Sequence, residues 1–364
     1  MTGIKVRYQA FDRLCAVVQK CEKCPRMHGS ARVLSRATGP IDAPVMFIGE
    51  APGRLGADNS EIPFHGDKAG ENFEELLLSA GLSRRNIFVT NAVLCNPKSE
   101  SGNNSTPLQS EVVNCASHLR QQIDLVRPDV IATLGAVALK AIQSIEAHGA
   151  TLRTSVGSAI PWYGRTLVPL YHPGQRAMIH RSLTEQMEDY RFLQSQINNL
   201  SKDIVTRHRS GELAVGTIAR ELVRSLPGIS YFALHKLFYL LELDQVRRHG
   251  RQLTDGFFVR QQDGPYCTDL HPKKLRKALL SLVGKSNLRV VPTDHDDLFG
   301  VGSTDSHIPA STKVEIQEFL MKYRGLDNSE LKTKAYLSSP MRELLREEKK
   351  ASVSLRNAPI DLTK

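Results

Sequence analysis

The stretch Val45-Met46-Phe47-Ile48-Gly49-Glu50-Ala51-Pro52-Gly53 runs four consecutive apolar residues into a Gly/Pro-rich end. Continuous rather than alternating apolarity is the mark of a strand buried on both faces. Three further runs share it: Ile87–Val93, Val130–Gly135 and Leu167–His172. Helical patterns lie between them. Phe73, Leu76, Leu77 and Ala80 make one apolar face that stops at Gly81. Leu119, Ile123 and Val126 make another before Pro128, and Ala136 to Ile145 follows the third strand. Such alternation predicts an α/β fold, with a short parallel sheet between helices on both faces in three α/β/α layers. In these sheets ligands bind at the carboxyl ends of the strands. The polar loops that matter are therefore 50–70, 91–95 and 172 onward.

The chain has 364 residues, 41% hydrophobic and 24% charged. This is ordinary globular composition and excludes a collagen, a disordered tail protein and a small disulfide scaffold. The length suggests two domains, set at 1–197 and 211–364 with a linker at 198–210. No apolar run approaches a membrane span, and Met1 to Val18 lacks the features of a secretory signal, so a cytoplasmic protein with no membrane partner is expected. A net charge of +10, most of it after residue 200, suits a polyanionic partner such as DNA. The back half differs in character and reads as mainly helical. Ile229 to Val246 is strongly apolar and closed by Gly250. Leu253 to Val259 suggests a strand, and Lys273 to Val283 and Ser311 to Tyr323 suggest helices. Arg346 to Lys364 reads as a charged, partly disordered tail.

Six cysteines stand at 15, 21, 24, 95, 115 and 267. Cys21-Glu22-Lys23-Cys24-Pro25 is a C-x-x-C whose spacing lets two thiolates face one ion. With Cys95 and Cys115 it could hold zinc or an iron–sulfur cluster, serve redox chemistry, or leave Cys95 and Cys115 as small buried hydrophobes. Cys15 and Cys267 read as structural.

The ordered set Cys21-x-x-Cys24, Gly49-Glu50-Ala51-Pro52-Gly53, Pro63-Phe64-His65-Gly66-Asp67-Lys68-Ala69-Gly70, Thr90-Asn91, Cys95, Cys115, Arg127-Pro128-Asp129-Val130, Leu134-Gly135 and Tyr171-His172-Pro173-Gly174 resembles the iron–sulfur uracil-DNA glycosylases of types four and five. The resemblance covers roughly residues 10–197. It implies a [4Fe–4S] cluster on Cys21, Cys24, Cys95 and Cys115, and a monofunctional hydrolase that flips a base out of DNA and cuts its N-glycosidic bond. It makes Phe64 the stacking platform and Asn91 the reader of the base edge, with Gly49, Ala51 and His65 around the base. His172 becomes the donor to the oxygen where negative charge develops. Asp67 is the first choice to activate water and Glu50 the second. Gln175, Arg176 and Arg181 become DNA contacts. Plainer roles stay open: Phe64 as core, Asn91 as a turn cap, His172 as a satisfied loop histidine, Asp67 as a helix N-cap, and 174–181 as a solvated basic turn.

Four departures bear on substrate. Type-four enzymes carry an acidic residue where this chain has Gly56, the usual His-Pro-Ser is His172-Pro173-Gly174, His65 replaces a small or apolar residue beside Phe64, and Asn103-Asn104-Ser105 lie in an extended polar loop before Cys115. A bare Gly56 suggests room for a base larger than uracil. In the back half, His235-Lys236-Leu237-Phe238-Tyr239-Leu240, Gly250-Arg251-x-Leu253-Thr254, Phe257-Phe258 and Gly264-Pro265-Tyr266 resemble the Panacea-type antitoxin domain. That resemblance implies a protein partner and an antiviral role, with a modified phage base such as glucosylated hydroxymethylcytosine as substrate. Uracil repair and a catalytically silent base-binding module are the alternatives.

Overall fold

The computed structural model describes residues 3–200, 213–285, 287–293, 308–351 and 354–362. The chain divides into two compact units, Met1–Arg207 and His208–Lys364. Most of the expected linker at 198–210 lies outside the described residues.

The first unit opens with α1 (Gly3–Gln19) and continues through β1 (Val45–Gly49), α2 (Ala57–Ser60), α3 (Lys68–Ser79), β2 (Ile87–Asn91), α4 (Gln109–Val126), β3 (Val130–Leu134), α5 (Ala136–Ala141), α6 (Leu152–Ser155), β4 (Ile160–Trp162), β5 (Arg165–Leu170) and α7 (Leu183–Leu200). The strands form one sheet in the order β2-β1-β3-β5-β4. All neighbours are parallel except β4, a short antiparallel edge strand that the apolar runs do not announce. β1, β2 and β3 are buried along their whole length, as continuous apolarity requires.

Alternate residues of each strand feed opposite layers. Met46, Ile48, Phe88 and Ile131 join Phe11, Leu14, Leu119 and Ile123 on the α1/α4 face. Val45, Phe47, Val89 and Ala132 join Phe73, Leu76, Tyr190 and Leu193 on the α3/α7 face. The result is the expected three-layer α/β/α arrangement, with every parallel strand aiming its carboxyl end at one edge.

The second unit comprises α8 (Val215–Ser225), α9 (Tyr231–His249), β6 (Phe258–Gln261), β7 (Gly264–Cys267), α10 (Pro272–Lys277), β8 (Leu280–Val283), β9 (Arg289–Pro292), α11 (Ala310–Tyr323), α12 (Asn328–Tyr336) and α13 (Ser339–Ala351). Helix α9 is buried nearly all round, so it runs through the centre of this unit. The fully buried Glu242 carboxylate accepts hydrogen bonds from the Leu253 and Thr254 amides and the Thr254 hydroxyl. His235 lies between Tyr231 and Tyr266 and accepts from the Cys267 amide through Nδ1. Lys236 donates to the Pro265 carbonyl at 2.8 Å. The short motif of this half is thus a set of buried polar ties between α9 and the segments it packs on.

Three expectations for this half are corrected. The pattern at Lys273–Val283 is α10 followed by a strand. Leu279 takes φ 55°, and Leu280–Val283 pairs antiparallel with β9. The strand placed at Leu253–Val259 begins only at Phe258, because Glu242 takes the amides of Leu253 and Thr254. The tail is ordered where described. Helix α13 reaches Ala351, and Leu355, Ala358, Ile360 and Leu362 are buried. The tail backbone pairs with β6 through Arg260 N–H to Ala358 O and Ile360 N–H to Phe258 O.

Phe47 sits at the centre of the α3/α7 layer, edge-on to Phe73 at 5.3 Å and stacked with Tyr190 at 5.8 Å. Phe47→Ala should destabilise the first unit by about 3–5 kcal/mol through lost contacts and the cavity left behind. Chemical denaturation followed by circular dichroism reads this directly.

Candidate active site

Four side chains converge at the carboxyl edge of the sheet. Asn91 ends β2. A Cβ built on Gly49, at the end of β1, would fall 2.4 Å from Asn91 Oδ1 and 2.7 Å from the Phe64 ring. Gly49 therefore brings Asn91 and Phe64 together over bare backbone. Phe64 also faces His172, which follows β5, with ring centroids 5.6 Å apart. Asp67 acts electrostatically on His172. Asn91 is buried, and its Oδ1 has no hydrogen-bond partner. A buried acceptor left open costs free energy that an incoming N–H donor would recover.

Phe64 adopts φ 51°, a left-handed backbone that bulky residues rarely take and that concentrates at functional sites. Two features hold it there. Arg84, buried and paired with Glu74, donates to the Phe64 carbonyl at 2.8 Å. Gly70 lets helix α3 approach, since a Cβ at 70 would meet that carbonyl at 2.5 Å.

Asp67 is the N-cap of α3, and its Oδ1 accepts from the Gly70 amide at 2.9 Å. The cap and the site residue are the same side chain. Among the described residues no cation pairs with it. Glu50 lies one residue beyond β1, half-buried, and burial alone holds its carboxyl above the usual range. The room expected beside Gly56 is not open: a Cβ there would lie 2.3 Å from Asp67 Oδ2. The Asp67 carboxylate already fills that space.

His172 Nδ1 accepts a hydrogen bond from the Gly174 amide at 2.9 Å. A neutral ring in this arrangement carries its proton on Nε2. Desolvation lowers the imidazole from its ordinary value, with Asp67 opposing in part, so the neutral form is favoured. The close approach needs Gly174, because a Cβ there would sit 2.8 Å from Nδ1. Asn72, buried on α3, donates to the Pro173 carbonyl at 2.8 Å and fixes the loop.

The remaining candidates are placed as follows. His65 is buried. Ala51 packs against the apolar cluster that contains Cys115. Gln175 and Arg176 are exposed, and Ile179 beside them is 82% exposed. Arg181, expected at DNA, is instead engaged by both oxygens of Asp189, at 2.5 and 2.6 Å, and anchors the loop.

The residues that sequence reasoning missed are Arg84 and Asn72; Asn104, in the polar loop noted before Cys115, braces the loop after β1. Asn104 accepts from the Arg54 amide and from Asn96 Nδ2, and Asn96 also donates to the Pro52 carbonyl. The one signal for Asn72 is a polar residue at the start of an apolar helical face, and nothing in the sequence points to Arg84.

Cys21, Cys24, Cys95 and Cys115 surround one region beside this edge. Cys24, Cys95 and Cys115 share an apolar cluster, and the thiols of Cys21, Cys24 and Cys115 all act on Cys95. Burial pushes Cys95 up to about 12 and Cys115 to about 11. Arg26 clamps the C-x-x-C turn to α4 through a two-pronged bond to Glu111. Among the described residues no three Cys, His, Asp or Glu side chains gather round a single ion position.

A family model described as "Uracil DNA glycosylase superfamily" matches residues 37–200. A type-4 uracil-DNA glycosylase of Thermotoga maritima is 34% identical over 168 residues, 46% of this chain and 83% of that protein. One of Archaeoglobus fulgidus is 31% identical over 186 residues, 50% of this chain and 89% of that protein. A type-5 uracil-DNA glycosylase of Pyrobaculum aerophilum is 28% identical over 192 residues, 45% of this chain and 82% of that protein. The chain belongs to the uracil-DNA glycosylase superfamily.

Arg84→Ala should cost about 1–3 kcal/mol, because it removes the ion pair with Glu74 and leaves the Phe64 carbonyl without this donor. Thermal melting measures it. The His172 shift sets a pH dependence. The unfolded imidazole takes a proton near pH 6.5, and the native one resists it to lower pH. Stability should fall as pH drops through about 6.5 toward the lowered native value. The fall should be shallower in His172→Gln, measured by denaturation at stepped pH.

Proposed function

We propose that the first unit is a monofunctional DNA glycosylase that flips a base from DNA and hydrolyses its N-glycosidic bond to leave an abasic site. The observation that carries this reading is the buried, unpartnered Asn91 Oδ1 beside the Phe64 ring, with Asp67 and His172 at the same edge. The flipped base stacks on Phe64, and its N–H satisfies Asn91. His172 donates from Nε2 to the base oxygen as the C1′–N1 bond breaks and its electron pair moves onto the base. Asp67 takes a proton from water, whose oxygen bonds to C1′. That proton then passes to the departing base. Glu50 is the second candidate for this step. Gln175 and Arg176 are the DNA contacts on this reading, and Arg181 holds their loop in place.

Cys21, Cys24, Cys95 and Cys115 would hold a [4Fe–4S] cluster, which supplies a structural tie when bound. The all-cysteine donor set and the relatives' type-4 and type-5 names support this. Cys95→Ser should lower bound iron and visible absorbance and reduce the melting temperature, read by iron assay and calorimetry.

For the base itself, uracil is the better-supported substrate. The relatives are named for it, and the space beside Gly56 is filled by Asp67. The second reading is a modified pyrimidine of phage DNA, such as glucosylated hydroxymethylcytosine, excised as an antiviral defence. Only the Panacea-like motif of the second unit favours it, with the protein partner that motif implies. Duplexes carrying each base decide between them. Release of uracil alone would remove the antiviral reading, and release of the glucosylated base alone would remove repair. Asp67→Asn and Asn91→Ala should each lower release by about 100-fold or more while DNA binding persists. Unchanged release in both variants would refute the assignment.

A further inference from the structure

We propose that Gly53 and Gly56 are positioning residues that set the reactive oxygen of Asp67, an inference that rests on the reading of Asp67 as the group that activates water. The two oxygens of this carboxylate stand in different surroundings. Oδ1 is taken by the Gly70 amide at the start of α3. Oδ2 has no hydrogen bond among the described residues and is the oxygen left to take a proton. It is also the atom nearest to both glycines. A Cβ on Gly56 would lie 2.3 Å from Oδ2, 2.6 Å from Cγ and 3.1 Å from Oδ1, and a Cβ on Gly53 would lie 2.9 Å from Oδ2.

Contacts this short require a shift, and here the carboxylate is the group able to give way. The bare backbone of the 53–56 turn is thus a wall against which Oδ2 rests. The turn is itself fixed. The Gly56 amide donates to the Gly53 carbonyl at 3.0 Å, and Asn104 accepts from the Arg54 amide at 2.9 Å. Helix cap on one side and glycine wall on the other leave the carboxylate one position. No cation pairs with it among the described residues. A side chain at position 56 and a carboxylate from position 67 cannot occupy this point together.

The test uses the full-length, iron-containing protein and single-turnover base release from the best substrate of the duplex panel. Gly56→Ala, Gly53→Ala, Asp67→Asn and the double variant Gly56→Ala/Asp67→Asn are compared. Gly149→Ala, which adds a Cβ in open space, is the control.

Gly56→Ala should lower the release rate by about 100-fold, the scale of an ångström-sized misplacement, with DNA affinity and melting temperature little changed. Gly53→Ala should lose less, in keeping with its longer contact, and it keeps the test open should Gly56→Ala fold poorly. In the Asp67→Asn background, Gly56→Ala should cost less than about twofold more, because its effect runs through the carboxylate. Equal losses from Gly56→Ala in both backgrounds, or full activity in Gly56→Ala and Gly53→Ala, would overturn the inference. Full activity in Asp67→Asn would instead overturn the catalytic reading of Asp67 on which it rests.

Discussion

Close approach of backbone to side chain, possible only at glycine, is the constraint on which the site depends. Gly49 admits Asn91 and Phe64 to one point above β1. Gly56 admits the Asp67 carboxylate, and Gly174 admits His172 Nδ1. Gly70 does the same for the Phe64 carbonyl. Each occupies a place where a Cβ would collide with a side chain of the site or with its backbone. Parallel strands deliver their carboxyl ends to one edge, but they leave those ends a strand spacing apart. Removing side chains from the floor is what lets the chemistry-bearing groups meet over so short a span.

The arrangement carries a local cost that its surroundings meet. Phe64 sits at φ 51°, against its intrinsic preference. The buried Arg84 held by Glu74, the α3 helix approaching at Gly70 and the Phe73 ring at 4.9 Å over-determine that geometry. His172 is treated in the same way. Its loop is pinned by Asn72 from α3, and its tautomer is set by its own downstream amide. Helix α3 is therefore the organiser of the site. It presents Asp67 at its cap, Gly70 against the Phe64 carbonyl and Asn72 against the Pro173 loop.

The second unit shows a short motif with a different physical meaning. Its most distinctive polar residues, His235 and Lys236, are buried and hydrogen-bonded within the fold through His235 Nδ1 and Lys236 Nζ, as is the Glu242 that holds Leu253 and Thr254. They bind α9 to its own neighbours. A motif of this kind specifies a packing arrangement, because each buried polar group must find its partner or be lost.

Much of this was legible in the sequence. Continuous apolar runs determined the strands, because a strand covered on both faces has no polar side to show. Ordered motifs singled out Phe64, Asp67, Asn91 and His172, which the fold brings to one edge of the sheet, and the four cysteines. Edge strand β4, the hairpin hidden in Lys273–Val283 and the pairing of the tail with β6 were not legible. Short apolar segments fit helix and strand alike until a partner is present. The tertiary structure alone decided that Asp67 fills the space beside Gly56, that Arg181 pairs with Asp189 and that His172 Nδ1 accepts from the Gly174 amide. Those facts are contact distances set by how loops and helix ends fold back on themselves. A linear pattern records which groups are available, while contact geometry fixes which of them meet.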